Sequence, residues 1–268
     1  MARCFRLKKF FNGCFYFFLV WYACGVILLS FDILPPWLEW ANAVFLMAAG
    51  LLGGAYFIMS YGLLKGLLLS LGVIFGSIFA EHVGVKYGII FGDYYYTKDF
   101  GPQMIGVPAA IGFAWLMIIA ASHSITKTLF PQRTLFYLLP ASLITVLIDL
   151  IIDPVAFEVK KYWIWEEGSS FYYNIPFSNF LGWFIVAFLL HTMIYLSVKK
   201  EWKQENIWDR RIVIVYFLVM GMFLLLAAIH GLWMAVAFTA VPAALVLYLY
   251  YKKLEKVHHD YSKQKALV

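Results

Sequence analysis

Two aspartates in DLIIDP, residues 149–154, stand four positions apart. On a helix that spacing puts both carboxyl groups on one face, one turn apart. They close a long apolar run, and the helical rise sets Asp149 about 6 Å deeper than Asp153. An ionisable side chain inside a membrane span is costly and is a functional hypothesis by default. Two carboxylates this close in a low dielectric do not both ionise readily, and a proton held between them makes a buried general acid. A plainer reading pairs Asp149 with a lysine or serine of a neighbouring span and leaves Asp153 to cap a loop, with Pro154 ending the helix.

Further acids lie nearby in the chain. Glu81 and His82 end one apolar run, and Asp93 opens the aromatic stretch GDYYYTKDFG, residues 92–101, ahead of Tyr94, Tyr95 and Tyr96. The same mixture returns in YWIWEEGSSFYYNIP, residues 162–176. An aromatic belt at the headgroup level accounts for most tyrosines in membrane proteins. It accounts less well for acids and rings clustered twice. Carboxylic acids, π faces and a membrane together suit a carbocation. A desolvated acid protonates an alkene, aromatic faces stabilise the tertiary cation, and water reaches it from one side. The substrate would be a lipid-soluble polyene.

These groups need a scaffold, and composition supplies its class. Apolar residues make up 63% of 268 positions and charged residues 13%, where a soluble domain has about 45–50% and about 25%. The chain reads as an all-α, polytopic membrane bundle forming one domain, residues 1–268. Eight runs are apolar enough to span: 12–31, 39–59, 63–81, 103–122, 134–152, 178–197, 212–229 and 232–251, each near the required length of about 20 residues. The first follows RCFRLKK without a small-residue cleavage site and is kept as an uncleaved span.

Eight spans put both termini on one side. With that side cytoplasmic, every Lys and Arg falls inside except Lys86, Lys98, Lys160 and Lys161, as the positive-inside rule requires. The net charge of +6 is then explained by topology, and nucleic acid is not a partner. Most acidic residues go outward, including Asp32, Glu39, Asp99, Glu158, Glu166 and Glu167 beside those named above. The two longest non-spanning segments, 82–102 and 153–177, are also outer, and long connections in bundles tend to be functional. Each leads through a proline into a span with tryptophan seven positions on, Pro108 to Trp115 and Pro176 to Trp183. That is a slight sign of an internal parallel repeat.

Other chemistries find little support. Cys4, Cys14 and Cys24 have no metal-type spacing and read as free thiols. HExxH, GxSxG, Walker and GxGxxG patterns are missing from the sequence. His82 and His230 alone on the outer face are too few for a metal site. His191, inside the sixth span, reads first as a packing residue and second as a proton-handling one. His123 and His258-His259 read as inner surface.

The run GDYYYTKDFGPQMIGVPAAIGFAW, then Asp149, Asp153 and Pro154, then YWIWEEGSSFYYNIPFSNFLGW resembles a carotenoid-biosynthesis family of integral membrane proteins, of the bisanhydrobacterioruberin hydratase and carotenoid 1,2-hydratase type. The motif core covers residues 81–183. It departs from that family's pattern at Ile90 and around Tyr162, where a proline and a glycine are expected. The resemblance implies addition of water to the terminal 1,2 double bond of an acyclic carotenoid, lycopene-like or an apo-carotenoid, with no cofactor and no metal. It marks Asp93, Tyr94, Tyr96, Asp149, Asp153, Trp163, Trp165, Asn179 and Trp183 as motif positions. On this reading Asp149 or Asp153 is the acid, and Asp93 or Glu81 orients the water and takes its proton. Tyr94, Tyr96, Trp163 and Trp165 shield the cation, Asn179 holds water or a carboxylate, and Trp115 and Trp183 line the substrate. The expected site opens on the extracytoplasmic side of a bacterial or archaeal cell membrane. Two rivals remain. One is a carotenoid end-group transferase moving prenyl, glycosyl or acyl groups. The other is a carotenoid or lipid carrier without catalysis.

Overall fold

A computed structural model describes residues 2–97, 101–130, 134–166, 170–202 and 206–266. Lys98, Asp99, Arg133, Glu167 and Lys203, which entered the charge tally above, lie outside the described residues. Among the described residues, eight helices are long and apolar enough to cross a membrane. They are α1 (Ala2–Ser30), α2 (Trp40–Tyr61), α3 (Leu63–Tyr87), α4 (Ala109–Leu129), α5 (Thr134–Pro154), α6 (Phe177–Val198), α7 (Ile207–Ile229) and α8 (Trp233–Ala266). The expected bundle of eight spans is the fold. Several ends shift. α1 starts at Ala2 and α7 at Ile207, ahead of the expected 12 and 212, α8 runs on to Ala266, α3 runs on to Tyr87, and α4 starts only at Ala109 and continues to Leu129.

α4 is the most buried span, and α1 and α8 are the least. Close approach at the centre is made possible by small residues. A Cβ on Gly50 would meet the Phe113 carbonyl oxygen at 2.4 Å, and one on Gly53 would meet that of Leu116 at 2.8 Å. α2 therefore lies backbone to backbone on α4, the way small residues let membrane helices approach.

The two long connections are not merely loops. β1 (Tyr94–Tyr96) and β4 (Trp163–Trp165) pair antiparallel, joining the α3–α4 connection to the α5–α6 connection. β2 (Gln103–Met104) and β3 (Val107–Pro108) form a small hairpin, tied down where the Ile105 carbonyl accepts from His82 Nδ1 at 2.7 Å. Gly88 ends α3 in the left-handed region at φ 63°, which a residue lacking Cβ adopts without strain. The chain then crosses α6 so closely that a Cβ on Gly182 would meet the Ile90 carbonyl oxygen at 2.5 Å. We call this end of the bundle the loop end.

Pro154 does not stop its helix. The chain continues through a π-helical turn, Val155–Val159, with Lys160 N donating to Val155 O at 3.0 Å. A proline has no N–H, so the carbonyl four residues earlier, Leu150, loses its helical donor. Tyr172 repairs this, its hydroxyl donating to Leu150 O at 2.6 Å. A buried carbonyl left without a donor costs about 1–3 kcal/mol. Tyr172→Phe is therefore expected to lower stability by about that amount in detergent melting. Adding Pro154→Ala, which restores an N–H, should shrink the loss, and an equal loss in both backgrounds would show that the hydroxyl plays no such part.

Candidate active site

Side chains alternate across a strand, so residues two apart share a face. Tyr94 and Tyr96 therefore point one way from β1, and Trp163 and Trp165 from β4. The register sets Tyr94 opposite Trp165 and Tyr96 opposite Trp163. Their ring centroids lie 4.9 and 6.0 Å apart, and Tyr94 meets Tyr96 edge-on at 5.4 Å. Tyr95, between them, faces outward and is exposed. Trp115 of α4 and Trp183 of α6 stack at 4.1 Å with planes 17° apart. Six rings thus surround one volume.

Glu81, one and a half turns before the end of α3, is buried among them. Its Oε1 accepts from Trp115 Nε1 at 3.0 Å. Its Oε2 accepts from Tyr96 at 2.9 Å and also from the Tyr94 hydroxyl. An indole N–H can only donate. Burial first, and then the Glu81 charge, push both phenols well above their ordinary range, so they too remain protonated donors. Three donors on two oxygens fix Glu81 in place as the acceptor of the cluster.

Asp149 and Asp153 are treated differently. Both are buried on the same face of α5. Asn179, in the first turn of α6, donates its two amide hydrogens to them, at 3.2 Å to Asp149 Oδ2 and also to Asp153 Oδ2. Asp149 Oδ1 has no partner among the described residues. Among the described residues neither aspartate has a lysine or serine side-chain partner; the Asn179 amide bridges both. Two carboxyl groups buried one helical turn apart in a low dielectric are held most cheaply with one of them neutral.

The cavity they border contains about 920 Å³ of empty space including its open mouth. Glu81, Asp153, Asn179 and all six rings line it. Asp149 sits one turn behind Asp153, away from the lumen. The remaining walls are chiefly apolar side chains of α1, α2, α4 and α7, with Asn42, Lys160 and Tyr162 at the rim. Among the described residues no cluster of three or more His, Cys, Asp or Glu is arranged to hold a metal ion.

The family described as carotenoid biosynthesis protein matches residues 41–247. This chain belongs to that family. It is also 31% identical over 117 residues to the bisanhydrobacterioruberin hydratase of Haloarcula japonica, a stretch covering 41% of this chain and 39% of that protein. No solved structure matches.

In this carotenoid biosynthesis protein nine of the eleven site residues named from sequence line one cavity, and Asp149 stands one turn behind Asp153. The residue that turns away is Asp93. It is exposed, it lies beside Gly88, and its backbone carbonyl accepts from Glu166 N at 2.9 Å. On β1 it stands one residue before Tyr94, so alternation turns it to the opposite face from the rings. Glu81 is left facing the cavity instead. His123, expected at the surface, is fully buried, because α4 extends past the expected end of its span. Its Nε2 is 2.7 Å from the Tyr61 hydroxyl and its Nδ1 is 2.7 Å from that of Tyr137. The rim residues Asn42, Lys160 and Tyr162 were not singled out as site residues. Asn42 had a usable signal, a lone amide inside an apolar span.

Replacing Glu81 tests the donor cluster. Glu81→Leu strands Trp115 Nε1 and two phenols, each at about 1–3 kcal/mol, whereas Glu81→Gln keeps an acceptor oxygen. Detergent melting is expected to fall far more for Glu81→Leu than for Glu81→Gln.

Proposed function

We propose that this protein is a carotenoid hydratase, adding water across the terminal 1,2 double bond of an acyclic carotenoid. One observation carries the reading: Asp153, backed one turn away by Asp149, and the triply hydrogen-bonded Glu81 meet at the same aromatic cavity. The name of the Haloarcula relative favours the same chemistry. The membrane-spanning scaffold suits a substrate dissolved in lipid.

The terminal alkene lies among the six rings. Asp153, the member of the pair that reaches the lumen, delivers the shared proton to the less substituted alkene carbon. The C=C π bond breaks, and a tertiary cation forms on the neighbouring carbon. The faces of Trp163, Trp165, Tyr94 and Tyr96 stabilise it, and the Glu81 charge opposes it across a cavity of low dielectric. A water oxygen bonds to the cation, and Glu81 takes the proton released. Alkene and water are consumed and a tertiary alcohol is formed, with no net proton or electron. Asp149 acts behind Asp153 by sharing its proton. Asn179 holds the pair in register. The loop end faces the extracytoplasmic side, a placement supported by the Lys and Arg bias of the connections.

Expression in a bacterial host that accumulates lycopene or a shorter acyclic carotenoid tests this, with pigments separated by liquid chromatography and weighed. The expected product is heavier by one water and keeps its absorption spectrum, because the 1,2 bond lies outside the conjugated chain. Unchanged pigment with the protein in the membrane would favour a carrier, and a product carrying a sugar, acyl or prenyl group would favour a transferase. Asp149→Asn and Asp153→Asn are each expected to reduce turnover by about 10²-fold or more, the usual worth of a general acid, while the protein stays in the membrane. Full activity in both would remove the aspartates from the mechanism.

A further inference from the structure

The cavity has two unlike sides beyond its reactive end. One is a flank of Leu29, Leu46, Met222, Phe223 and Leu226 from α1, α2 and α7. It offers no hydrogen-bonding side chain and suits a hydrocarbon chain. The other is a polar rim where α2 begins and β4 is entered. There Asn42 Nδ2 donates to Tyr162 Oη at 2.6 Å and to Glu39 Oε2 at 2.8 Å, and the Tyr162 hydroxyl lies 3.5 Å from the same Glu39 oxygen. Asn42, Tyr162 and Lys160 all line the cavity. All four residues, Glu39 included, are half-buried; Glu39 stands behind the other three rather than on the lumen.

Tyr162 is held firmly. Its backbone N donates to Ala156 O at 3.0 Å, and its carbonyl accepts from Thr97 N at 2.9 Å. It is also the residue directly before Trp163, so the strand that carries the cation-facing indoles carries this phenol too. A hydroxyl, an amide and a carboxylate in mutual contact, open to solvent on one side and to an apolar lumen on the other, form a relay of donors and acceptors for a small polar molecule. Nothing else at the rim offers this combination among the lining residues.

We propose that Glu39, Asn42 and Tyr162 form the port through which the attacking water enters, while the polyene occupies the α1–α2–α7 flank. This rests on the hydratase reading. These are positioning residues: they touch neither the alkene nor the acid, and they set how soon water meets a cation already formed.

The consequence is a change in how that cation partitions. It has two exits. Water can add, giving the alcohol with the second water proton passing to Glu81. Or a neighbouring carbon can return a proton to the aspartate pair, regenerating alkene. In D2O the pair carries deuterium, so a cation that reverts by losing a protium, from the carbon just deuterated or from a methyl group on the cationic carbon, leaves deuterium in the recovered alkene. The wild-type protein in vesicles loaded with an acyclic carotenoid is expected to yield mostly alcohol, with little label in unreacted substrate. Asn42→Leu and Tyr162→Phe are expected to lower alcohol formation by about tenfold, a barrier change near 1.4 kcal/mol, while label in recovered alkene rises severalfold relative to the alcohol formed. A parallel fall of alcohol and label in both variants would mean a general structural defect and overturn the port, as would an unchanged ratio. Detergent melting of each variant identifies a folding defect separately. If the wild type forms neither alcohol nor labelled alkene, the hydratase reading itself fails and the port falls with it. If the wild type forms alcohol and only the variants disagree with expectation, the port alone fails.

Discussion

Three carboxyl groups buried at or just behind one apolar cavity must each be answered, by donors or by a proton, because a bare charge there costs several kcal/mol. The loop end is built to give those answers. Glu81 receives donors from three different elements: Tyr94 and Tyr96 from β1 and Trp115 from α4. The strands exist to hold those phenols at the right height, and β1 can pair with β4 only because the chain turns at Gly88 and crosses α6 at Gly182. On the other side, Asp149 and Asp153 receive one amide between them. The π-helical turn after Pro154 lets α5 continue beyond the pair and deliver Trp163 to the cavity, and Tyr172 secures the carbonyl that the proline leaves open.

The two halves of the site have the same plan. α3 carries Glu81 and leads to β1, then to Pro108 and the α4 helix with Trp115. α5 carries Asp149 and Asp153 and leads to β4, then to Pro176 and the α6 helix with Trp183. Both prolines stand at the N-cap of their helices. The strands pair antiparallel with Tyr95 opposite Ile164, and the tryptophans stack face to face. An antiparallel pair and a stacked pair each have local two-fold symmetry, and parallel repeats related by an axis along the membrane normal are a known way of building membrane proteins. Position three after the proline then separates the halves: Asn179 in one, Ile111 in the other, both lining the cavity. The amide serves the aspartate pair, and the isoleucine leaves Glu81 to its phenols and indole. One plan used twice thereby gives two walls whose carboxyl groups are answered differently.

Much of this was legible in the chain. Spans are read from hydrophobic length, which the bilayer itself imposes, and a pair of aspartates at helical spacing needs only the 3.6-residue turn to share a face. Other features depend on partners far away in sequence. β1 and β4 are three residues each, too short for alternation to stand out, and their pairing joins segments about seventy positions apart. Asp93 looked equivalent to Glu81 because both are acids beside aromatics. Only the strand's two-residue period, which turns Asp93 outward and Tyr94 inward, distinguishes them. The π-helical turn was hidden by a proline that ordinarily signals a stop, since the hydroxyl that compensates it lies on Tyr172, in the next connection.

Buried polar groups alone do not mark the site, and the far end of the bundle shows why. His123, Tyr61, Tyr137, His191 and Thr145 form a second polar cluster inside the helices. Every ring nitrogen of the two histidines has a hydroxyl within 3.4 Å, and none of these five residues lines the cavity. Such a cluster is closed: its donors and acceptors satisfy one another and hold α2, α4, α5 and α6 together, as polar side chains do between membrane helices. At the loop end the matching is incomplete, with Asp149 Oδ1 unpartnered among the described residues, two acids bridged by one amide, and an open volume beside them. A polar group that has spent its hydrogen bonds on neighbours can stabilise a fold. A group left with capacity, next to space for a substrate, is in a position to move a proton.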